Sequence, residues 1–460
     1  MKIIVAGTGF VGLTHAAVLA ESGHEVWAYD INPEKIAAFQ SGRQERIESY
    51  INENFLSDII QETHNKYLFF TSNIEECIEG AEIIFMCLPT PPKQDGSTDL
   101  SYYDKAADYL SKLLKQRRNP NRVVMVNKST VPIGTARHLQ RILRNNQADQ
   151  VGVASNPEFL PEGDAVEKSR RPDRVVIGAD TEEDFMILRR VYNQFYNHVR
   201  IRYIETTPET AEAIKYISNT LLLTYISFWN GVGARVAEKM DNINMEKLKM
   251  GATSDTRIST WGSYVSNGAG GSCFGKDIQS LIYQLRLAGA DIRLLQSVYD
   301  INEYQKTYLL DRAVHEAGFN FNNKRIALLG LSFKQRTNDM RDASSIKVVE
   351  GLLGKGVAQI KAYDPLAMEE AKKVFNPQEN TLFEKISYHE LAVDALSDTD
   401  ACFITTDWEE FRGLSSTIDQ TVKPPYLVID GRRMIYDFPI LVNKGFDFIA
   451  VGSPYTTNKK

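Results

Sequence analysis

Short, unbroken apolar runs recur along the chain, each closed by glycine, proline or a small polar cluster. Residues 2–6 (KIIVA), 25–29 (EVWAY), 82–88, 122–127 and 151–155 predict strands buried on both faces. Between the first two, the alanine-rich stretch Leu13 to Ser22 predicts a helix that Gly23 and His24 end. From Pro208 to Met240 no proline interrupts a helical pattern that includes Ile214, Ile217, Leu221, Leu222, Ile226, Phe228 and Val232. Such a helix either joins two domains or forms a dimer interface. Near residue 316 the pattern starts again, with strand-like runs at 324–331, 356–363, 401–406 and 426–430. Strands alternating with helices predict an α/β protein. The expected architecture is two Rossmann-like, doubly wound parallel-sheet domains joined by a long central helix, with boundaries at 1–205, 206–315 and 316–460. The tail, Thr456 to Lys460, is expected to fray.

Bulk composition narrows the function. With 460 residues, 43% hydrophobic and 24% charged, the chain is long enough for about three domains of an ordinary folded protein. A net charge of −6 argues against a nucleic-acid partner. No apolar run is long enough to span a bilayer, and the N-terminus enters a strand rather than a signal peptide, so a cytoplasmic protein without a membrane partner is expected. Four scattered cysteines without a CxxC pair fit a reducing compartment and give no reason to expect a metal.

Two motifs carry chemistry. Gly7-Thr8-Gly9-Phe10-Val11-Gly12 follows the first strand and opens the first helix, and Asp30 closes the second strand, 18 residues after Gly12. In this order the motif predicts a dinucleotide site. Gly7 makes the turn, Gly9 admits the pyrophosphate and Gly12 lets helix and strand approach. Asp30 would accept from the ribose hydroxyls and repel a 2′-phosphate, which favours NAD over NADP. The second motif is Gly270-Gly271-Ser272-Cys273-Phe274-Gly275-Lys276-Asp277. A thiol in a glycine-rich loop beside a cation suits a covalent nucleophile. On the loop alone a buried structural cysteine fits equally well. Lys215 and Asn219, four apart, share a helical face, although a solvated lysine and a neutral asparagine explain that spacing as well. Thr130 and Glu158 lie in loops after strands, where ligands gather, but singly each also suits a turn or a cap. In the second half, Lys334, Arg341, Arg432 and Arg433 are candidate contacts for a phosphate-bearing ligand.

Taken together, GTGFVG, KSTVPIGT, NPEFLPEG, the helix with Lys215 and Asn219, DTRI, GGSCFGKD and GLSFKQRTNDMRDASS resemble the UDP-glucose/GDP-mannose dehydrogenase family over nearly the whole chain. SCF-x-KD looks like its UDP-glucose branch. The resemblance implies an NAD-binding first domain, a central helical dimerisation domain carrying the cysteine loop and a C-terminal UDP-sugar domain. It implies two NAD-dependent oxidations of the C6 alcohol of UDP-glucose to a carboxylate, through a thiohemiacetal and a thioester on Cys273. A UDP-N-acetylhexosamine or GDP-mannose 6-dehydrogenase is the alternative. Lys215 and Asn219 would stabilise the oxyanion, Asp277 and Thr130 would position water, and Glu158 and Glu162 would support proton transfer. The implied cofactor set is Gly7, Gly9, Phe10, Val11, Gly12, Asp30, Lys35, Thr90, Thr130, Glu162, Lys276 and Arg341. The implied substrate set is Glu158, Phe159, Leu160, Glu162, Lys215, Asn219, Arg257, Gly270, Phe333, Lys334 and Arg433. Arg257 matches an arginine that reaches the neighbouring subunit's substrate, so a homodimer is expected. The chain departs from the family at Gly275, where proline is usual, and at Gln335, which also replaces a common proline.

Overall fold

The computed structural model describes residues 1–196 and 198–458. The chain divides into two compact units, residues 1–218 with 279–288, and residues 219–278 with 289–460. The central segment 206–315 therefore contributes to both.

The first unit is built on an eight-stranded sheet. Its strands are β1 Lys2–Ala6, β2 Glu25–Tyr29, β3 Leu68–Thr71, β4 Ile83–Met86, β5 Val124–Asn127, β6 Gly152–Ser155, β7 Arg174–Ala179 and β8 Arg202–Thr206. Their spatial order is β3-β2-β1-β4-β5-β6-β7-β8. Pairing is parallel up to β6, in the order 3-2-1-4-5-6 of a dinucleotide-binding sheet. β7 then runs antiparallel to β6, and β8 parallel to β7. The sheet is thus not wholly parallel as expected. The central strands β1, β4, β5 and β6 are buried almost throughout, because helices cover both faces.

The second unit repeats the order. β9 Arg325–Leu329, β10 Gln359–Tyr363, β11 Ile386–Tyr388, β12 Ala401–Ile404, β13 Leu427–Asp430 and β14 Asp447–Ala450 lie as β11-β10-β9-β12-β13-β14, all parallel. Both doubly wound domains of the sequence reading are therefore present. The tail does not fray at Thr456 and Thr457. Thr456 exchanges backbone hydrogen bonds with Phe448, and the Thr457 hydroxyl donates to Asp447. Lys459 and Lys460 lie outside the described residues.

The long central pattern forms a helix over Pro208–Phe228, one π-helical turn over Trp229–Gly233, and a further helix over Ala234–Lys239. The wide turn coincides with two close approaches. A side chain on Gly231 would start 2.9 Å from Ile301, and one on Gly233 would start 2.6 Å from the Trp229 ring. No helix among the described residues is long and apolar enough to cross a membrane.

Candidate active site

In the first unit, the switch point of the sheet falls between β1 and β4, and the GxGxxG loop sits there. Gly7 has φ +97, and a side chain on it would start 2.3 Å from the Cys87 carbonyl oxygen. One on Gly12 would start 1.9 Å from the Gly7 oxygen. Both positions therefore admit only glycine. Around Gly9, by contrast, nothing lies within 4 Å of such a carbon. That opening stands at the N-terminus of the helix Phe10–Glu21, where a pyrophosphate meets amide groups and a positive dipole end. The residues fit a dinucleotide.

Asp30 is held on the same loop. Its Oδ2 accepts from the Thr8 amide (3.0 Å), the Thr8 hydroxyl (2.7 Å) and Lys35 Nζ (3.1 Å). Burial pushes the Asp30 carboxyl up, but the Thr8 bonds and Lys35 outweigh it and keep the group below the ordinary carboxylate range. Thr90 and Thr130, from the loops after β4 and β5, are tied together by a 3.0 Å bond from the Thr90 hydroxyl to the Thr130 carbonyl.

The NPEFLPEG loop brings Glu158 onto Lys215. Lys215 Nζ donates to Glu158 Oε1 at 3.1 Å, and the Leu160 amide donates to Oε2 at 2.5 Å. Both side chains are buried. Burial raises the Glu158 carboxyl. The Lys215 charge, the Leu160 amide and the neighbouring Lys128 together pull it below its usual value. Phe159 meets two cations, with Arg174 3.8 Å and Lys215 5.4 Å from its ring centre. Gly163, after the half-buried Glu162, donates to the buried Glu53 at 2.7 Å.

Sequence reasoning missed the groups behind this loop. Lys128 is buried, and its Nζ donates to Asn156 Oδ1 (2.9 Å), which also accepts from the Tyr192 hydroxyl (2.5 Å). Burial lowers the Lys128 ammonium to about 8. Lys128, Glu158, Phe159, Arg174 and His15 line one cavity of about 80 Å³. The available signal was position: Lys128 directly precedes Ser129 and Thr130 at the end of β5.

In the second unit, Cys273 immediately precedes the helix Phe274–Leu287, and its carbonyl accepts from the Asp277 amide at 2.9 Å. Cys273 thus stands directly before a helix N-terminus with its thiol partly exposed, a position that favours negative charge on sulfur. One turn on, the fully buried Asp277 accepts from Lys276 Nζ through Oδ1 and from Asn219 Nδ2 through Oδ2, each at 2.6 Å. Cys77, Cys87 and Cys402 differ sharply from Cys273: all three are buried, and burial pushes each thiol up to about 12.

Residues 1–196 match the NAD binding domain of the UDP-glucose/GDP-mannose dehydrogenase family, residues 209–304 its central domain and residues 327–437 its UDP binding domain. The chain belongs to this family. It is 33% identical over 456 residues to the UDP-glucose 6-dehydrogenase TuaD of Bacillus subtilis (strain 168), covering 98% of this chain and 93% of that one. It is 34% identical over 461 residues to a UDP-glucose 6-dehydrogenase of Pseudomonas aeruginosa, covering 99% and 98%. Among solved structures, a UDP-glucose dehydrogenase from Pyrobaculum islandicum superposes with a TM-score of 0.84 at 30% identity, covering 94% of both chains. The protein is an NAD-dependent nucleotide-sugar dehydrogenase, with its NAD-binding domain in the first unit.

The UDP binding domain of this dehydrogenase reuses the geometry of the NAD site. Gly330, after β9, has φ +92, and a side chain there would start 2.5 Å from Thr406, after β12. Asp364, after β10, is the counterpart of Asp30. It is buried and accepts from the Leu331 amide (2.7 Å), the Ser332 amide (3.1 Å) and Trp408 Nε1 (3.0 Å). In the sequence Asp364 stands just past the strand-like run 356–363. The signal was its place after the second strand, as at Asp30.

The candidate cations of this domain differ in setting. Arg432 Nη2 donates to the Phe333 carbonyl (2.9 Å) and so braces the segment bearing Lys334. Arg433 donates to the Val451 carbonyl (2.7 Å), to Ser453 (2.8 Å) and to Glu246 (3.2 Å). Arg341 forks onto Asp339; in the central domain, Arg257, 85% exposed, forks onto Asp255.

Proposed function

We propose that the protein oxidises the C6 alcohol of UDP-glucose twice, to UDP-glucuronate, with Cys273 as covalent nucleophile. The observation that carries this reading is Cys273 directly before a helix N-terminus, followed within one turn by the Lys276–Asp277–Asn219 hydrogen-bonded chain, in which Asp277 and Asn219 are buried and Lys276 is partly exposed. Bound NAD supplies the hydride acceptor for each oxidation. The first oxidation leaves an aldehyde and releases the hydroxyl proton. Cys273 Sγ adds to the aldehyde carbon and gives a thiohemiacetal. The second oxidation turns that carbon into a thioester and releases a second proton. Water then cleaves the thioester, which frees the carboxylate with a third proton and returns the thiol. Lys215, held by Glu158, supplies fixed positive charge to the oxygen at C6, and Asn219 supplies an amide donor. Asp277 and Thr130 orient the water. Glu158 and Glu162 support proton movement. Phe159, Leu160, Gly270, Phe333, Lys334 and Arg433 are assigned to the nucleotide sugar, and Lys276 and Arg341 to the cofactor. The four free thiols support a reducing, cytoplasmic setting.

The test is stoichiometry. Exhaustive turnover of UDP-glucose is expected to give about two NADH per sugar. One NADH per sugar excludes the covalent route. A substrate panel that yields NADH only from an N-acetylhexosamine or mannose nucleotide excludes UDP-glucose.

The reading includes a homodimer. Its support is an exposed apolar row on the central helix and the turn after it, Leu221, Phe228 and Val232, spaced for one face. Light scattering at micromolar concentration is expected to give twice the mass of the chain, and a monomer there contradicts the reading.

A further inference from the structure

Within the second unit, the nucleophile loop Gly268 to Cys273 is gripped from two sides. The helix Arg293–His315 provides one. Its Asn302, almost fully buried, donates from Nδ2 to the Ala269 carbonyl (2.9 Å) and accepts from the Ala269 amide at Oδ1 (2.8 Å). Lys306, one turn on, packs under Gly268, where a side chain would start 3.0 Å from its Cγ.

The segment from Phe333 to Asp342 provides the other side. The Gly271 amide donates to the Arg341 carbonyl at 2.9 Å. Gly271 has φ +88, and a side chain on it would start 2.9 Å from the Phe333 ring. One on Gly270 would start 2.4 Å from the Asp342 carbonyl oxygen.

Lys306 and Asp342 join the two sides. The Lys306 side chain is 0% exposed, and its Nζ donates to Asp342 Oδ1 at 2.5 Å and to Glu303 Oε1 at 2.6 Å. Asp342 Oδ2 stands 2.8 Å from the point where a side chain on Gly275 would begin. Gly275 lies in the first turn of the nucleophile helix, a place that otherwise tolerates proline. A ring there would compete with the Asp342 carboxylate for space. Glycine at 275 and the Lys306–Asp342 pair are therefore two parts of one joint. A fully buried ammonium persists only where it is paired, and such pairs are best attested as devices that fix one arrangement.

The gripping segment also carries Lys334 and Arg341, the cations expected to meet phosphate-bearing ligands. We propose that Lys306 and Asp342 are positioning residues that lock the nucleophile loop to this segment, so that binding of a uridine diphosphate group is transmitted to the Cys273 thiol. The inference rests on Cys273 being the nucleophile.

The experiment is alkylation of the full-length protein by iodoacetamide, with and without UDP. The other three thiols are buried and raised to about 12, so the rate reports on Cys273. UDP is expected to change the wild-type rate by about fivefold or more. In Lys306→Met and in Asp342→Asn, UDP still binds by calorimetry but no longer alters the rate, and kcat falls by more than KM rises. Lys306→Arg restores the response. Asp342 has a left-handed backbone (φ 54), which asparagine also tolerates, so Asp342→Asn carries the test if Lys306→Met does not fold. A UDP response that survives in Asp342→Asn, or that is missing from the wild type, overturns the inference. Absence of NADH from wild-type protein with UDP-glucose overturns the functional reading instead.

Discussion

Cys273→Ser is expected to lower turnover of UDP-glucose by on the order of 10³-fold or more while leaving NAD affinity unchanged. Serine fits the space, and its hydroxyl receives the same helix N-terminus. The loss is one of chemistry: an alcohol is far less ionised than a thiol near neutral pH, and an ester leaves less readily than a thioester. NAD affinity is kept because the GxGxxG cradle and Asp30 are complete within the first unit, whereas Cys273 belongs to the second. Initial rates of NADH formation, paired with an NAD titration of the same preparation, check both halves. A serine variant with near wild-type turnover removes the nucleophile. A folded one that no longer binds NAD gives the loop a structural role.

Lys215→Met is expected to cost about 10²–10³-fold in kcat and a few kcal/mol in stability at neutral pH. The activity loss follows from removing fixed charge in a dry site. The stability loss follows from Glu158, which keeps its buried carboxylate and the Leu160 amide but loses its bonded cation. In the wild type the Glu158 carboxyl lies below its unfolded value, so its contribution is present above the unfolded value and is lost as pH falls through the folded one. In the variant, burial dominates and the carboxyl rises. Its folded form then prefers the proton, and stability falls as pH rises through the unfolded value of about 4.3. The melting temperatures of variant and wild type are therefore expected to differ most at pH 7–8 and least near pH 4–5. Adding Glu158→Gln should recover much of the stability and none of the activity. A constant gap in melting temperature across that range contradicts the pairing.

The sequence is most transparent where the chemistry is local. β1, β4, β5 and β6 are buried on both faces, so each stands out as an apolar run, and the GxGxxG loop lies within a single strand–turn–helix. β8 and β11 lie at sheet edges and are mostly half-exposed, so polar residues break their runs. β3 and β14 are apolar runs as well, but no motif adjoins them to mark them. The π-helical turn leaves no mark in apolar spacing. The site divides in the same way. Cys273, Lys276 and Asp277 are legible because they are adjacent. Glu158 and Lys215 are 57 residues apart, Asn219 and Asp277 58, and Lys306 and Asp342 36, and no periodicity links them. Each residue type is visible in the sequence, but its partner emerges only when the chain has folded.

The first unit is not continuous in the chain. Its last piece, residues 279–288, is separated from Ser218 by the sixty residues 219–278, which belong to the second unit. That piece is bound in by side chains: Ser280 meets Thr98 (3.0 Å) and the Tyr216 hydroxyl (3.1 Å), and Gln284 accepts from the Ile133 amide (2.8 Å). During synthesis, therefore, the GxGxxG loop and Asp30 leave the ribosome well before the unit that holds them can be finished. A nascent chain that stops at Ser218 has the whole GxGxxG strand–turn–helix but lacks the plug over the loops after β4 and β5. The NAD-binding half must wait until the Cys273 loop has been made before it can close.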